Sequence, residues 1–126
     1  MSRSYHIDVA RHVTEADCRW VDNLLARFEL PGVDSTGQGT LRRISSVGIY
    51  HVALVSKLVD GLGVPLDAAS ALAIRLLDSR VDQPLSVFGE LEIRFDRAAF
   101  VEAVDARIAD AVESVVPPRR GRPRKR

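Results

Sequence analysis

The densest chemistry in this sequence is cationic and occupies residues 119 to 126. The stretch RRGRPRKR sets Arg119, Arg120, Arg122, Arg124, Lys125 and Arg126 around Gly121 and Pro123, six cations in eight positions. A polycation of this density binds polyanions by releasing condensed counterions. If all six charges meet duplex phosphates, the logarithm of affinity should fall against the logarithm of salt with a slope of about −5. Catalytic chemistry has no comparable signal. Gly32 and Gly37 in GVDSTGQGT stand at phosphate-loop spacing, but Gln38 and Gly39 occupy the positions where such a loop needs Lys and Ser or Thr. His6, His12 and His51 with Cys18 lack the spacing of a metal site. No Ser, His and Asp grouping carries a nucleophile motif. The expectation is a protein that is not an enzyme and needs no cofactor or metal.

The remaining residues must position any such chemistry. A chain of 126 residues suits one small domain with a modest extension, and 46% hydrophobic with 28% charged residues is close to globular composition. The net charge of +1 conceals a division. Six of the 18 basic residues lie in the tail, leaving 12 against 17 acids in the body. Residues 1 to 75 are balanced, with eight basic and eight acidic residues, whereas 76 to 118 hold four and nine. A neutral front, an acidic back and a cationic tip suggest separate duties. Cys18 is the only cysteine, so no intrachain disulfide forms and a reducing compartment fits. Charges from Arg3 to Arg19 interrupt any signal-peptide core, and no apolar run reaches membrane-spanning length. A cytoplasmic, nucleoid-associated location is expected.

Ile7, Ala10 and Val13 predict a short amphipathic helix. Thr14 in TEAD predicts the cap of a second helix running to about Phe28, with Asp17 closing a capping box. Val21, Leu24, Leu25 and Phe28 form its inner stripe beside Trp20, and Arg19, Asn23 and Arg27 its opposite face. Pro31, Gly32 and the turn-forming residues after them predict a loop flanked by short strands near Leu30 and in LRRIS. Ser45 or Ser46 should cap a third helix, apolar on nearly every side and therefore buried, ended by Gly61 and Gly63. A fourth helix follows Pro65. Alternation from Glu90 to Phe95 predicts one half-buried strand, with Glu90 and Glu92 outward and Leu91, Ile93 and Phe95 inward. Asp96 should cap the last helix, whose stripe is Val101, Val104, Ile108, Val112 and Val115. Pro117 and Pro118 stop it.

Two resemblances follow from these residues. Arg119 to Arg124, with arginines on either side of a Gly-Arg-Pro core, resemble the AT-hook. That resemblance implies an extended backbone along the narrow minor groove of A·T tracts. Glycine permits close approach, proline stiffens the strand, and the groove's negative potential attracts guanidinium groups. The string YHIDVARHVTEADCRWVDNLLARF, then LPG, GQGTLRRIS and KLVDGLGVPLDAASALA, is similar to the winged-helix DNA-binding domain of MerR-type regulators. This second resemblance spans residues 5 to about 77. It implies a second helix laid in the major groove and a basic wing on the backbone. Arg19, Asn23 and Arg27 then match the reading positions, and Arg42 with Arg43 match the wing pair. Arginine can bridge guanine O6 and N7, and asparagine can pair with adenine N6 and N7. Ile44 stands where the family usually has Tyr, Asp22 and Glu15 lie near the groove face, and the resemblance within these residues does not extend to the family's long coiled coil and effector domain.

The expected fold is mainly α: a MerR-like winged helix-turn-helix with a small β wing in residues 1–78, a strand and dimerisation helix in 79–116, and a disordered basic tail in 117–126. The Val101, Val104, Ile108, Val112 and Val115 stripe is read as a two-fold interface between copies, since small winged modules gain half-site specificity by pairing. The expected function is DNA-binding transcriptional regulation or nucleoid association, with double-stranded DNA and a second copy as partners and no membrane contact. The alternative is a protein-interaction adaptor that keeps the tail as a nonspecific DNA anchor.

Overall fold

A computed structural model describes residues 4–34, 43–78 and 83–114. It is mainly helical, with two small antiparallel sheets. The described elements are β1 (Ser4–His6), α1 (Ile7–Thr14), α2 (Cys18–Arg27), β2 (Val33–Asp34), β3 (Arg43–Ser45), α3 (Ser46–Leu62), α4 (Leu66–Leu76), β4 (Leu85–Val87), β5 (Leu91–Ile93) and α5 (Arg97–Ser114).

The first helix begins at Ile7, where its apolar spacing begins, and Ser4–His6 before it are taken into a sheet. There β3 lies between β1 and β2, with Tyr5 and Val33 both opposite Ile44. Ile44 is buried in this central strand. His6 then caps α1, its Nδ1 accepting from the Asp8 N–H at 3.1 Å. The expected cap of α2 is corrected. The Thr14 hydroxyl donates back to the Ala10 carbonyl at 2.9 Å, finishing α1, and Asp17 is the N-cap, accepting from the Arg19 N–H at 3.0 Å. Each side chain thus satisfies backbone groups that its own helix end leaves open.

As its composition requires, α3 is the buried centre, packed against α1, α4 and α5. The Ser45 hydroxyl accepts from the Gly48 N–H at its start, and Gly63 closes it in the left-handed region at φ 69°. Ile49, Val52 and Val55 are fully buried. His51 is buried with them, its Nδ1–H donating to the Val47 carbonyl at 2.8 Å, and desolvation lowers its pKa from the usual 6.5 despite that bond. Tyr50 donates its hydroxyl to Asp105 Oδ1 at 2.7 Å, tying α3 to α5. Burial and then the Asp105 carboxylate push the Tyr50 pKa up to about 12.

Two expectations for the C-terminal third need correction. The single strand is one half of a hairpin, in which Leu85–Val87 pairs with Leu91–Ile93 across a turn at Phe88 and Gly89, both at positive φ. Leu91 is 50% exposed, not inward, so the alternation holds only for Ile93 and Phe95, which are half-buried. The inner face of α5 is Val104, Ile108 and Ala111, which pack into the same chain's core beside α1 and α3. That spacing of i, i+4, i+7 follows the α-helical period, which rotates Val112 outward to 43% exposure. Asp96 caps α5 as expected, accepting from the Ala99 N–H at 3.0 Å. Arg107 anchors its other side by donating to the Val13 carbonyl at 2.9 Å, at the C-terminal end of α1 where a cation is favoured.

Candidate nucleic-acid interface

The Asp17 cap fixes where α2 starts and therefore which way its side chains point. Val21 and Leu24 are fully buried. Arg19, Asn23 and Arg27, at i, i+4 and i+8, are all exposed on the other side. A row of two guanidinium groups and one amide about 12 Å long, at 1.5 Å rise per residue, is thereby presented to solvent. Arg27 at the end of this row lies over the Phe28 ring, with its guanidinium carbon 5.3 Å from the ring centroid. This contact restrains a long side chain without consuming its charge.

The acids near this face are partly committed elsewhere. Asp22 accepts from Arg11 Nη2 at 3.1 Å, and Arg11 also pairs with Asp8, so one α1 cation bridges acids of both helices. Glu15 lies in the turn before α2 at φ 57°.

The β2–β3 hairpin carries the other expected contact. Arg43 is exposed, and its guanidinium is clamped to β1: Nε donates to Ser4 Oγ at 3.0 Å and Nη2 to the Ser4 carbonyl at 2.7 Å. A positioned cation therefore sits on the small sheet. Ile44, where the MerR-type pattern has an aromatic, is 1% exposed and belongs to the core, so this position offers nothing to a phosphate. Arg42 lies outside the described residues, as do Val115 and the tail residues Arg119, Arg120, Gly121, Arg122, Pro123, Arg124, Lys125 and Arg126.

Of the residues read as a dimer contact, Val104 and Ile108 are 4% and 5% exposed and are used inside their own chain. Val101 is half-buried and Val112 faces solvent. Among the described residues, no group of three His, Cys, Asp or Glu side chains could hold a metal, and no helix is long and apolar enough to cross a membrane. One feature that sequence order conceals is a cleft between the end of α4, the β4–β5 hairpin and the start of α5, rimmed by Arg75, Arg94 and Arg97. These arginines lie up to 22 positions apart, and the only sequence signal for the cleft would have been the hairpin that folds them together.

Comparison of the chain with protein-family models, curated proteins and solved structures found no match.

Proposed function

We propose that this chain is a DNA-binding protein, a transcriptional regulator or nucleoid-associated factor, of the winged helix-turn-helix type. In this reading α2 enters the major groove, the β2–β3 hairpin is the wing, and the basic tail adds contacts in an A·T minor groove. The observation that carries it is the exposed Arg19, Asn23 and Arg27 row on a helix whose opposite side buries Val21, Leu24 and Leu25 in the core. The row has the dimensions and donor chemistry of a base-reading helix face. Support also comes from the order of elements: two short helices precede a hairpin whose second strand pairs with a strand at the start of the domain. The clamped Arg43 is then a backbone contact and not a base reader, because two of its donor groups are already engaged.

Pairing of two copies belongs to this reading only through what α5 leaves outside its own core, chiefly Val112. No chemistry is catalysed.

The test is selection of duplexes from a random pool by the full chain and by a full chain carrying Arg19→Ala, Asn23→Ala and Arg27→Ala together. All three positions are exposed, so the variant should fold. An enriched motif with the parent chain and none with the variant is expected. Equal enrichment by both, or none by either, would sink the assignment of α2 as the reader and favour an adaptor anchored by its tail.

A further inference from the structure

We propose that the cleft between α4, the β4–β5 hairpin and α5 is a binding site for a small organic anion with an apolar body, an aromatic carboxylate. Its volume is about 380 Å³. Small-ligand pockets span about 300 to 1,000 Å³, which admits one compact ring system and its acid group.

The first argument is charge placement. Residues 76 to 118 carry nine acids and only four basic residues, yet two of those four, Arg94 and Arg97, line this one cleft, and Arg75 joins them from the last turn of α4. The one acid among the lining residues is Asp96, whose carboxylate is engaged in capping α5. Arg97 is held in place, its Nη2 donating to the Asp78 carbonyl at 2.8 Å, so it is positioned before any ligand arrives. Arg75 and Arg94 are exposed and form no ion pair with a described residue. Guanidinium forks match carboxylate geometry, and arginine is the residue suited to that anion.

The second argument is the floor. Leu76 is buried, and Leu85, Ile93 and Phe95 are half-buried around the same space. Phe95 is steadied by Phe100, with ring centroids 5.5 Å apart and planes tilted by 52°. A cationic rim over an apolar floor with one fixed aromatic ring selects an acid attached to a ring, and discriminates against inorganic anions that cannot use the floor. The cleft is built from α4, the second hairpin and α5, and does not use the α2 face, so the inference stands apart from the DNA-binding reading.

The experiment titrates isotope-labelled full-length protein with phenylacetate, acetate and inorganic phosphate separately, following backbone amide shifts. Phenylacetate should give saturable shifts at residues 75–76 and 93–98, at concentrations at least tenfold below any acetate or phosphate effect. Arg75→Gln with Arg94→Gln, both exposed positions, should weaken phenylacetate at least tenfold while leaving the remaining amide spectrum unchanged. Absence of saturable shifts with phenylacetate overturns the proposal, as does equal binding of phosphate, which would mark a general anion patch. Unchanged phenylacetate binding in the double variant overturns it too. Shifts of the same amides by a duplex at lower concentration would make the rim a phosphate contact and overturn it equally.

Discussion

Gly32 and Gly48 meet backbone to backbone, and this contact fastens the turn after α2 to the first turn of α3. The Gly32 carbonyl accepts from the Ser45 N–H at 2.9 Å and from its hydroxyl at 3.1 Å. A Cβ on Gly48 would stand 2.6 Å from Ile44 Cγ1 and 2.7 Å from the Gly32 carbonyl oxygen. Alanine in a helix gains about 1 kcal/mol over glycine. Overpacking against backbone that cannot rotate away costs about 1 to 3 kcal/mol, so the second effect should win. Gly48→Ala is therefore expected to lower the melting temperature by several degrees. Gly61→Ala in the same helix, where a Cβ would meet nothing within 4 Å, should raise it. A rise in both would remove the close approach as the reason for glycine at 48. The sequence could not disclose this role, since a lone glycine inside an apolar run has no visible partner 16 residues away.

The buried His51 adds a pH dependence at the same scale. Its folded pKa lies below the ordinary 6.5, so the native ring stays neutral while the unfolded chain takes up a proton as pH drops through 6.5. The unfolded state then binds more protons, and stability falls with acidity. The contribution is intact above pH 6.5 and lost below it. Urea midpoints compared at pH 7.5 and 5.5 should show a larger drop for the parent chain than for His51→Gln. Equal drops would mean that the loss comes from other groups.

At the scale of elements, what was legible depended on whether the deciding partner was local. The all-apolar run of α3 announced a buried helix, the Ser45–Ser46 pair its cap, and Asp96 the cap of α5, because each signal concerns residues within one turn. Thr14 carried an equally good signal but sits four residues after Ala10, whose carbonyl it takes, so Asp17 caps α2. Asp17→Ala should cost about 1 kcal/mol, and Asp17→Asn much less, since the amide oxygen can still accept from the Arg19 N–H. Chemical denaturation of both variants checks this; equal losses would assign the role to charge and not to the hydrogen bond. β1 was illegible because its pairing with β3 is decided 39 positions away, and Ser4–His6 have no alternation of their own. The hairpin partner β4 was missed for a related reason: Phe88 turns at φ 62°, a conformation that bulky residues rarely announce. The inner face of α5 was read one residue out of phase at its C-terminal end, where Ala111 and not Val112 completes the core.

Across the whole molecule, charge is sorted along the chain while the exposed α2 row is sorted by geometry, and these two levels predict separable effects on DNA. Counterion release depends on how many phosphates are neutralised, with a slope near −0.9 per contact, and is blind to sequence. Base reading depends on where donors point. Replacing the six tail cations with glutamine in the full chain should therefore flatten the salt dependence of duplex binding by up to about five in log-log slope, while leaving the preferred motif in place. Replacing Arg19, Asn23 and Arg27 with alanine removes only two cations, so the slope should change by at most about two, yet the motif preference should vanish. Fluorescence anisotropy across a salt series, with the selected duplex and a scrambled one, measures both quantities in one design. A protein held to DNA by its tail alone would instead lose preference and affinity together when the tail is neutralised. In that outcome the α2 row is an ordinary solvated helix face, and the folded body would be left to contact a protein.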